Sequence, residues 1–274
     1  MIFRFVLHSI VFLLATVITQ IGGMAYVGAL ALRRYGPTRY KSKFVYPVFL
    51  FLVLYSCLWI LSLFVAPEFG RVALPCRATK STLITVQSPL YCILNRQYVT
   101  PKLLRAGNAL AAFMHAKHPG TQTLALDANF PFFDEFPLLP HLSHDDGRKL
   151  DIAFYYENRD GEYVVGETRS PIGYWGFEQP LPGSSQPCSR GGNGMNLRWD
   201  MDWFGVFLND NKLDDARTAT TLLWLSTQGR KYGVSKVFVE PHLAQRLTVS
   251  GDTIRFQGCR AARHDDHIHF EISR

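Results

Sequence analysis

Chemistry-bearing side chains crowd the end of the chain, in Arg263-His264-Asp265-Asp266-His267-Ile268-His269-Phe270-Glu271, where three of the nine histidines alternate with carboxylates. On a β-strand, side chains alternate with a period of two, so a His-x-His pair presents both imidazoles on one face. Far upstream, Ser143-His144-Asp145-Asp146-Gly147-Arg148-Lys149-Leu150-Asp151 supplies a further His and Asp seven positions apart, with Gly147 permitting a tight turn between them. The expectation is that the two segments meet around one Zn²⁺ ion. His144 on a loop, Asp151 on the following strand and His269 on the terminal strand would be the ligands. Three such ligands with a fourth position left open is the make-up of a catalytic zinc site. Nitrogen and carboxylate donors suit Zn²⁺ and do not suit Ca²⁺ or Mg²⁺. A hydrolytic site also needs a general base within hydrogen-bond reach of the attacking water. His267, His264 and Asp266 compete for that role.

Other polar residues have plainer explanations. His141 reads as a supporting residue rather than a ligand, and Asp145 and Asp146 as solvated loop carboxylates. His115 and His118 sit where a helix ends, where cations suit its dipole. His242 follows Pro241 at a helix start. Tyr174, Trp175, Trp199 and Trp203 are shared between groove-lining and packing roles, and Asp200 and Asp202 between substrate-facing and solvent-facing positions on a strand.

Several elements must position these residues. Thr100-Pro101 is an N-cap followed by proline at the first helical position, and Pro119-Gly120 ends that helix. Strands are expected at Thr123–Asp127, Leu150–Glu157, Val234–Val239, Thr253–Phe256 and His267–Ile272. Asn158 to Gly161 reads as a turn into Tyr163-Val164-Val165. A second helix runs from about Asp214 to Arg230, and a short one from Pro241 to Leu247. Residues 171–196, rich in Gly, Pro and Ser, form a long loop at a cleft mouth. The fold class is α+β: a small antiparallel sheet with flanking helices holds the zinc site.

Upstream of this domain the chain changes character. Residues 6–32 and 44–66 carry no Asp, Glu, Lys or Arg, and each run exceeds the roughly 20 apolar residues that cross a bilayer. The first run is too long for a signal peptide's apolar core. The expected organisation is a membrane hairpin over 1–66, with helices at about 6–32 and 44–66 and a basic turn at 33–43. A linker with short extended segments then covers 67–100, and the zinc domain covers 101–274. The net charge of +7 resides almost wholly in Arg4, Arg33, Arg34, Arg39, Lys41 and Lys43, all before the first acidic residue, Glu68. The remaining 23 basic residues face 22 acidic ones, which argues against a nucleic-acid partner. A basic cluster between two apolar runs orients the hairpin with its turn in the cytoplasm and both termini outside. Cys76, Cys92, Cys188 and Cys259 would then lie in an oxidising compartment, where they permit two disulfides in any of three pairings or remain as thiols.

Taken together, Ser143-His144-x-x-Gly147-x-x-x-Asp151 and His264-x-x-His267-x-His269 resemble the penicillin-insensitive murein endopeptidases. These belong to the superfamily of lysostaphin-like and D-Ala-D-Ala metallopeptidases. Val237-Phe238-Val239-Glu240-Pro241 is similar as well, and the resemblance covers roughly Leu124 to the C-terminus. It implies zinc ligation by His144, Asp151 and His269, with His264 and His267 assisting. Asp266 resembles the base of the related Asp-x-x-His-Phe-Glu branches. The implied protein is a membrane-anchored zinc peptidase of the bacterial inner membrane, its C-terminal domain in the periplasm, hydrolysing amide bonds in peptidoglycan cross-links or stem peptides. The alternatives are a D,D-carboxypeptidase or dipeptidase of the same superfamily, or a non-catalytic, zinc-stabilised peptidoglycan-binding or signalling domain. The hairpin departs from the familiar soluble members.

Overall fold

A computed structural model describes residues 2–35, 45–79, 82–188 and 202–274. Arg39, Lys41, Lys43, Trp199 and Asp200 lie outside the described residues. The architecture is mixed α+β, with seven α-helices and three small sheets among the described residues.

The first apolar run is two helices rather than the single helix expected over 6–32. Helix α1 (Ile2–Thr19) ends where Gln20 takes a left-handed backbone (φ 65°), and α2 (Gly22–Leu32) turns back along it. The Thr16 and Thr19 hydroxyls donate to the carbonyls of Phe12 and Ala15, bonds that favour a bend. Gly23 lets the two helices approach, since a Cβ there would lie 1.9 Å from Thr16 Oγ1. His8 Nδ1 meets the Tyr26 hydroxyl at 2.5 Å, as an antiparallel pair requires. At about 1.5 Å per residue, the 11 residues of α2 are too short to cross a bilayer. The two helices long and apolar enough to do so are α1 and α3 (Val45–Val65). This corrects the hairpin in one consequential respect. The start of α1 and the end of α2 lie at the same end of this helix pair, so Arg4 shares that end with Arg33 and Arg34.

The short extended segments expected within 67–100 are present, but they belong to the folded domain rather than to a linker. They fold as β1 (Val72–Ala73), β2 (Ile84–Val86), α4 (Pro89–Ile93) and β3 (Tyr98–Val99), and Leu74, Ile84, Val86, Tyr91 and Val99 are buried in the main core. The disulfide Cys76–Cys92 closes this segment. Next come α5 (Pro101–Lys117), capped by the Thr100 hydroxyl accepting from Leu103 N, then β4 (Thr123–Ala125), β5 (Lys149–Ala153) and β6 (Tyr156–Glu157). After β7 (Lys212–Leu213), α6 (Asp215–Ser226) starts where the Asp214 carboxylate accepts from Arg217 N. A 3₁₀ turn, not a strand, covers Asp202–Phe207. The chain ends with β8 (Val234–Phe238), α7 (Pro241–Arg246), β9 (Ile254–Arg255) and β10 (His267–Ile272).

The main sheet has six strands in the order β2-β4-β5-β10-β8-β9. The central pairs are antiparallel, but β2 with β4 and β8 with β9 are parallel. The sheet is therefore mixed rather than purely antiparallel, because α5 and α7 supply the crossovers that parallel neighbours need. Tyr163 makes only an isolated bridge to Glu157, and β6 pairs with β7 instead.

Strand alternation divides the sheet by chemistry. Leu150, Ile152, Ile268, Phe270 and Ile272 are buried in the core that α5 and α6 cover, where Leu150 packs beneath Gly107 of α5. Fully burying a side chain such as Phe270 contributes roughly 1.5–3 kcal/mol. The opposite face carries Asp151, His267, His269 and Glu271.

Candidate metal centre

Strands β5 and β10 are direct neighbours, and their register sets His269 opposite Asp151. One pairing thus joins residues 118 positions apart. His144 arrives from the loop before β5. Gly147 makes that loop possible with φ +74°, and a Cβ there would lie 2.5 Å from the Arg71 guanidinium. Its N–H donates to Asn129 Oδ1 (2.9 Å) and its carbonyl accepts from Thr100 N (2.8 Å), so the turn is tied to the two segments beside it.

His144 Nε2, Asp151 Oδ1 and His269 Nδ1 form a closed triangle with sides of 3.1, 2.8 and 3.0 Å, and all three residues are buried. His144 Nδ1 lies 2.7 Å from the Ala128 carbonyl and donates its proton there, leaving Nε2 as a lone pair aimed into the triangle. On the far side of the other imidazole, His269 Nε2 is 3.7 Å from Glu271 Oε1. Two ring nitrogens and a carboxylate oxygen, converging with their remote atoms directed at oxygen partners, fit a zinc ion by donor type, count and support. Burial by itself would lower the His269 imidazole, but its bonds to Asp151 and Glu271 raise it above its ordinary value. Burial would raise the Asp151 carboxyl, yet the charges of His144 and His267 and the bonds from His144 and His269 hold it well below the carboxylate range. Burial keeps His144 low, against the pull of Asp151.

The second oxygen of Asp151 is held independently. Tyr174 O–H donates to Oδ2 at 2.6 Å and accepts from Asp127 N at 3.1 Å. His141 Nδ1 lies 3.5 Å from the same Oδ2 and 2.9 Å from Asp127 Oδ2, which itself pairs with Arg96. His141, Asp151 and His267 form a second, looser group of possible metal ligands. The Tyr174 hydroxyl already occupies the oxygen they share, so the tight triangle is the better metal site.

The three candidates for the base occupy different chemical positions. Asp266 has both oxygens engaged: Oδ1 meets His267 Nδ1 at 2.5 Å, and Oδ2 accepts from Trp175 N at 2.6 Å. Trp175 takes a left-handed backbone (φ 67°), a strained conformation of the kind found at functional sites. Asp266 therefore orients its neighbour. His267, fixed through Nδ1, leaves Nε2 buried without a hydrogen-bond partner, 3.7 Å from Asp151 Oδ2. Burial opposes its protonation, but Asp151 and Asp266 raise its pKa to about 9 in the metal-free site. The His264 ring packs 5.0 Å from the His267 ring and 5.5 Å from the His269 ring. Burial first, then those two imidazoles, hold His264 well below its ordinary value, so it is neutral.

A cavity of about 170 Å³ opens over His267 and Asp266, walled by Tyr91, Tyr174, Trp175 and Phe177 with Arg96 and Arg263 among them. The loop expected at a cleft mouth thus contributes three of these walls. Trp203 is exposed. Asp145 and Asp146 pair with Lys149, and Asp146 also with Arg148, so neither orients an imidazole. His115 and His118 lie at the end of α5 against Thr121 and Thr220, and His242 Nε2 meets the Glu178 carbonyl. Sequence reasoning missed Tyr174 and Asp127 as supports of the site. Nothing in their spacing marks them, because both reach Asp151 only through the fold. No family model and no curated protein matches the chain.

Proposed function

We propose that the protein is a membrane-anchored zinc peptidase that hydrolyses amide bonds in the peptides of bacterial peptidoglycan. The observation carrying this reading is the buried triangle of His144, Asp151 and His269 beside an Asp266–His267 pair whose Nε2 has no hydrogen-bond partner and lies 3.7 Å from Asp151 Oδ2. The resemblance of both motifs to the murein endopeptidases supplies the substrate class.

Zinc in such a site supplies Lewis-acid activation of water and of the scissile carbonyl. The chain's own residues do the rest. Tyr174 fixes the outer oxygen of Asp151, and the Glu271 carboxylate lies 3.7 Å beyond His269 Nε2, so that the donor lone pairs stay convergent. Asp266 holds His267 through Nδ1, and a cation bound beside Asp151 would lower the His267 pKa, so that Nε2 could take a proton from the attacking water. His264, neutral and tilted against His267 with ring centroids 5.0 Å apart, would hydrogen-bond the developing oxyanion or the departing amine. The aromatic walls exclude water and flank the peptide.

A non-catalytic zinc domain would have no use for an oriented base with an unpartnered nitrogen, which favours the enzyme. The basic end of the helix bundle is assigned to the cytoplasm and the disulfide-bearing domain to the periplasm. The test is product analysis of cross-linked muropeptides incubated with zinc-loaded protein. Conversion of dimers to monomers supports the endopeptidase, and release of terminal D-alanine alone would move the assignment to a carboxypeptidase. Intact muropeptides, with stoichiometric zinc bound, would sink the hydrolase reading.

A further inference from the structure

The helix bundle and the cleft are not separate regions of this molecule. The Tyr55 hydroxyl, at the midpoint of α3, donates to the Ile93 carbonyl at 2.6 Å, and Trp59 Nε1 donates to the Cys92 carbonyl at 2.6 Å. Both acceptors are at the end of α4. The turn between α1 and α2 is docked too, since Gln20 Oε1 accepts from Phe132 N at 3.0 Å. The apolar surface of α3 continues past Tyr55 through Ile60, Leu61 and Phe64, which are 51%, 51% and 73% exposed. Alongside this stretch stand α4 and residues 130–142, the aromatic and proline-rich loop that leads to His141.

These two segments also expose large apolar side chains at the cleft mouth. Leu90 and Ile93 on α4 are 42% and 58% exposed, and Phe133, Leu139 and Leu142 on the loop are 60%, 51% and 50% exposed. Leu90, Leu94, Pro140 and His141 line the cavity itself, and Arg96 ties the two segments by donating to the Leu139 carbonyl at 2.7 Å. Exposed apolar side chains this large, gathered on two segments tied to each other, mark an interaction surface. Both segments are hydrogen-bonded to the helix bundle, whose own apolar exterior calls for lipid.

We infer that α4 and residues 130–142 form a collar that inserts into the lipid leaflet at the acyl–head-group boundary, so that the cleft opens at the membrane surface. Tyr55 and Trp59 are the residues that bind the collar to α3. Interfacial segments of this kind bury their apolar side roughly 5–10 Å into the leaflet. The inference rests on α1 and α3 lying in a bilayer and is independent of the hydrolase assignment.

The full-length protein in nanodiscs of phosphatidylethanolamine and phosphatidylglycerol provides the test. A nitroxide on the native free thiol, Cys57 of α3, serves as the lipid reference. In a Cys57→Ser background, nitroxides are placed at Leu90→Cys, Leu142→Cys and, as the aqueous reference, Leu223→Cys on the outer side of α6. All are exposed positions, so folding is not at stake. The expected ratio of oxygen to nickel-chelate accessibility at 90 and 142 is several-fold above that at 223 and close to that at 57. Ratios at 90 and 142 matching 223, with 57 lipid-like, would overturn the collar while leaving the spanning helices intact. An aqueous reading at 57 as well would remove the membrane premise itself.

Discussion

At the scale of single residues, the site is a set of lone pairs whose directions are fixed by their neighbours. His144 is oriented by a carbonyl, Asp151 by a tyrosine and His267 by a carboxylate. Removing a ligand and removing an orienter should therefore read differently. Asp151→Ala and His144→Ala are expected to abolish stoichiometric zinc binding, measured by metal analysis of the purified protein. Tyr174→Phe keeps every ligand but frees Asp151 Oδ2, and should weaken zinc by about 10–100-fold in a competitive chelator titration. On the proposed reading, His267→Ala retains zinc and loses about 10²–10⁴ in hydrolysis rate. An equal loss of zinc in that variant would make His267 a ligand. The ligand residues were legible in the sequence because His-x-His and His-x₆-Asp are local patterns. Choosing the base was not, because Asp266, His267 and His264 differ only in what approaches them from residues 171–177.

Among the elements, the decisive one is β10, which carries two imidazoles on one face and Ile268, Phe270 and Ile272 on the other. Its position was legible from alternation alone, whereas its register against β5 depends on pairing across more than a hundred residues. Glu271 on the same strand pairs with Lys236 of β8 at 2.9 Å. Burial would raise its carboxyl, but His269 and Lys236 hold it at about 2, below its ordinary 4.5. A depressed carboxylate stabilises the fold fully above its unfolded pKa and loses that contribution as pH falls towards the folded value. Denaturant titrations should therefore show stability declining from pH 4.5 to 2, with Glu271→Gln flattening the decline. Gly147 is the element-level hinge of the ligand loop. Gly147→Ala should cost about 1–3 kcal/mol, from the left-handed backbone and the collision with Arg71, and should weaken zinc binding through displaced His144. The short strands β2 and β9 were legible, but their parallel pairing was not, because it depends on the crossovers that α5 and α7 supply.

On the scale of the whole molecule, the anchoring helices, the disulfides and the cleft form one body. Cys188–Cys259 closes a loop with a sequence separation of 71 next to the terminal motif. By chain entropy such a link stabilises by about 4 kcal/mol, and Cys259→Ser should lower thermal stability accordingly, with free-thiol titration confirming one unpaired partner. Two disulfides were expected from four cysteines, and the fold selects one pairing from three. The break at Gln20 was not legible, since 27 uncharged residues read as a single helix until the Thr16–Gly23 contact is seen. It places the start of α1 with Arg33 and Arg34, so a reporter fused to the N-terminus should label from the side opposite the disulfide-bearing domain. The account as a whole is tested most directly by counting new amino groups released from purified cross-linked peptidoglycan. Metal-depleted full-length protein should release none, and adding one equivalent of zinc should restore release in the wild type but not in Asp151→Ala. Release that persists without metal, or equally in Asp151→Ala, would contradict it.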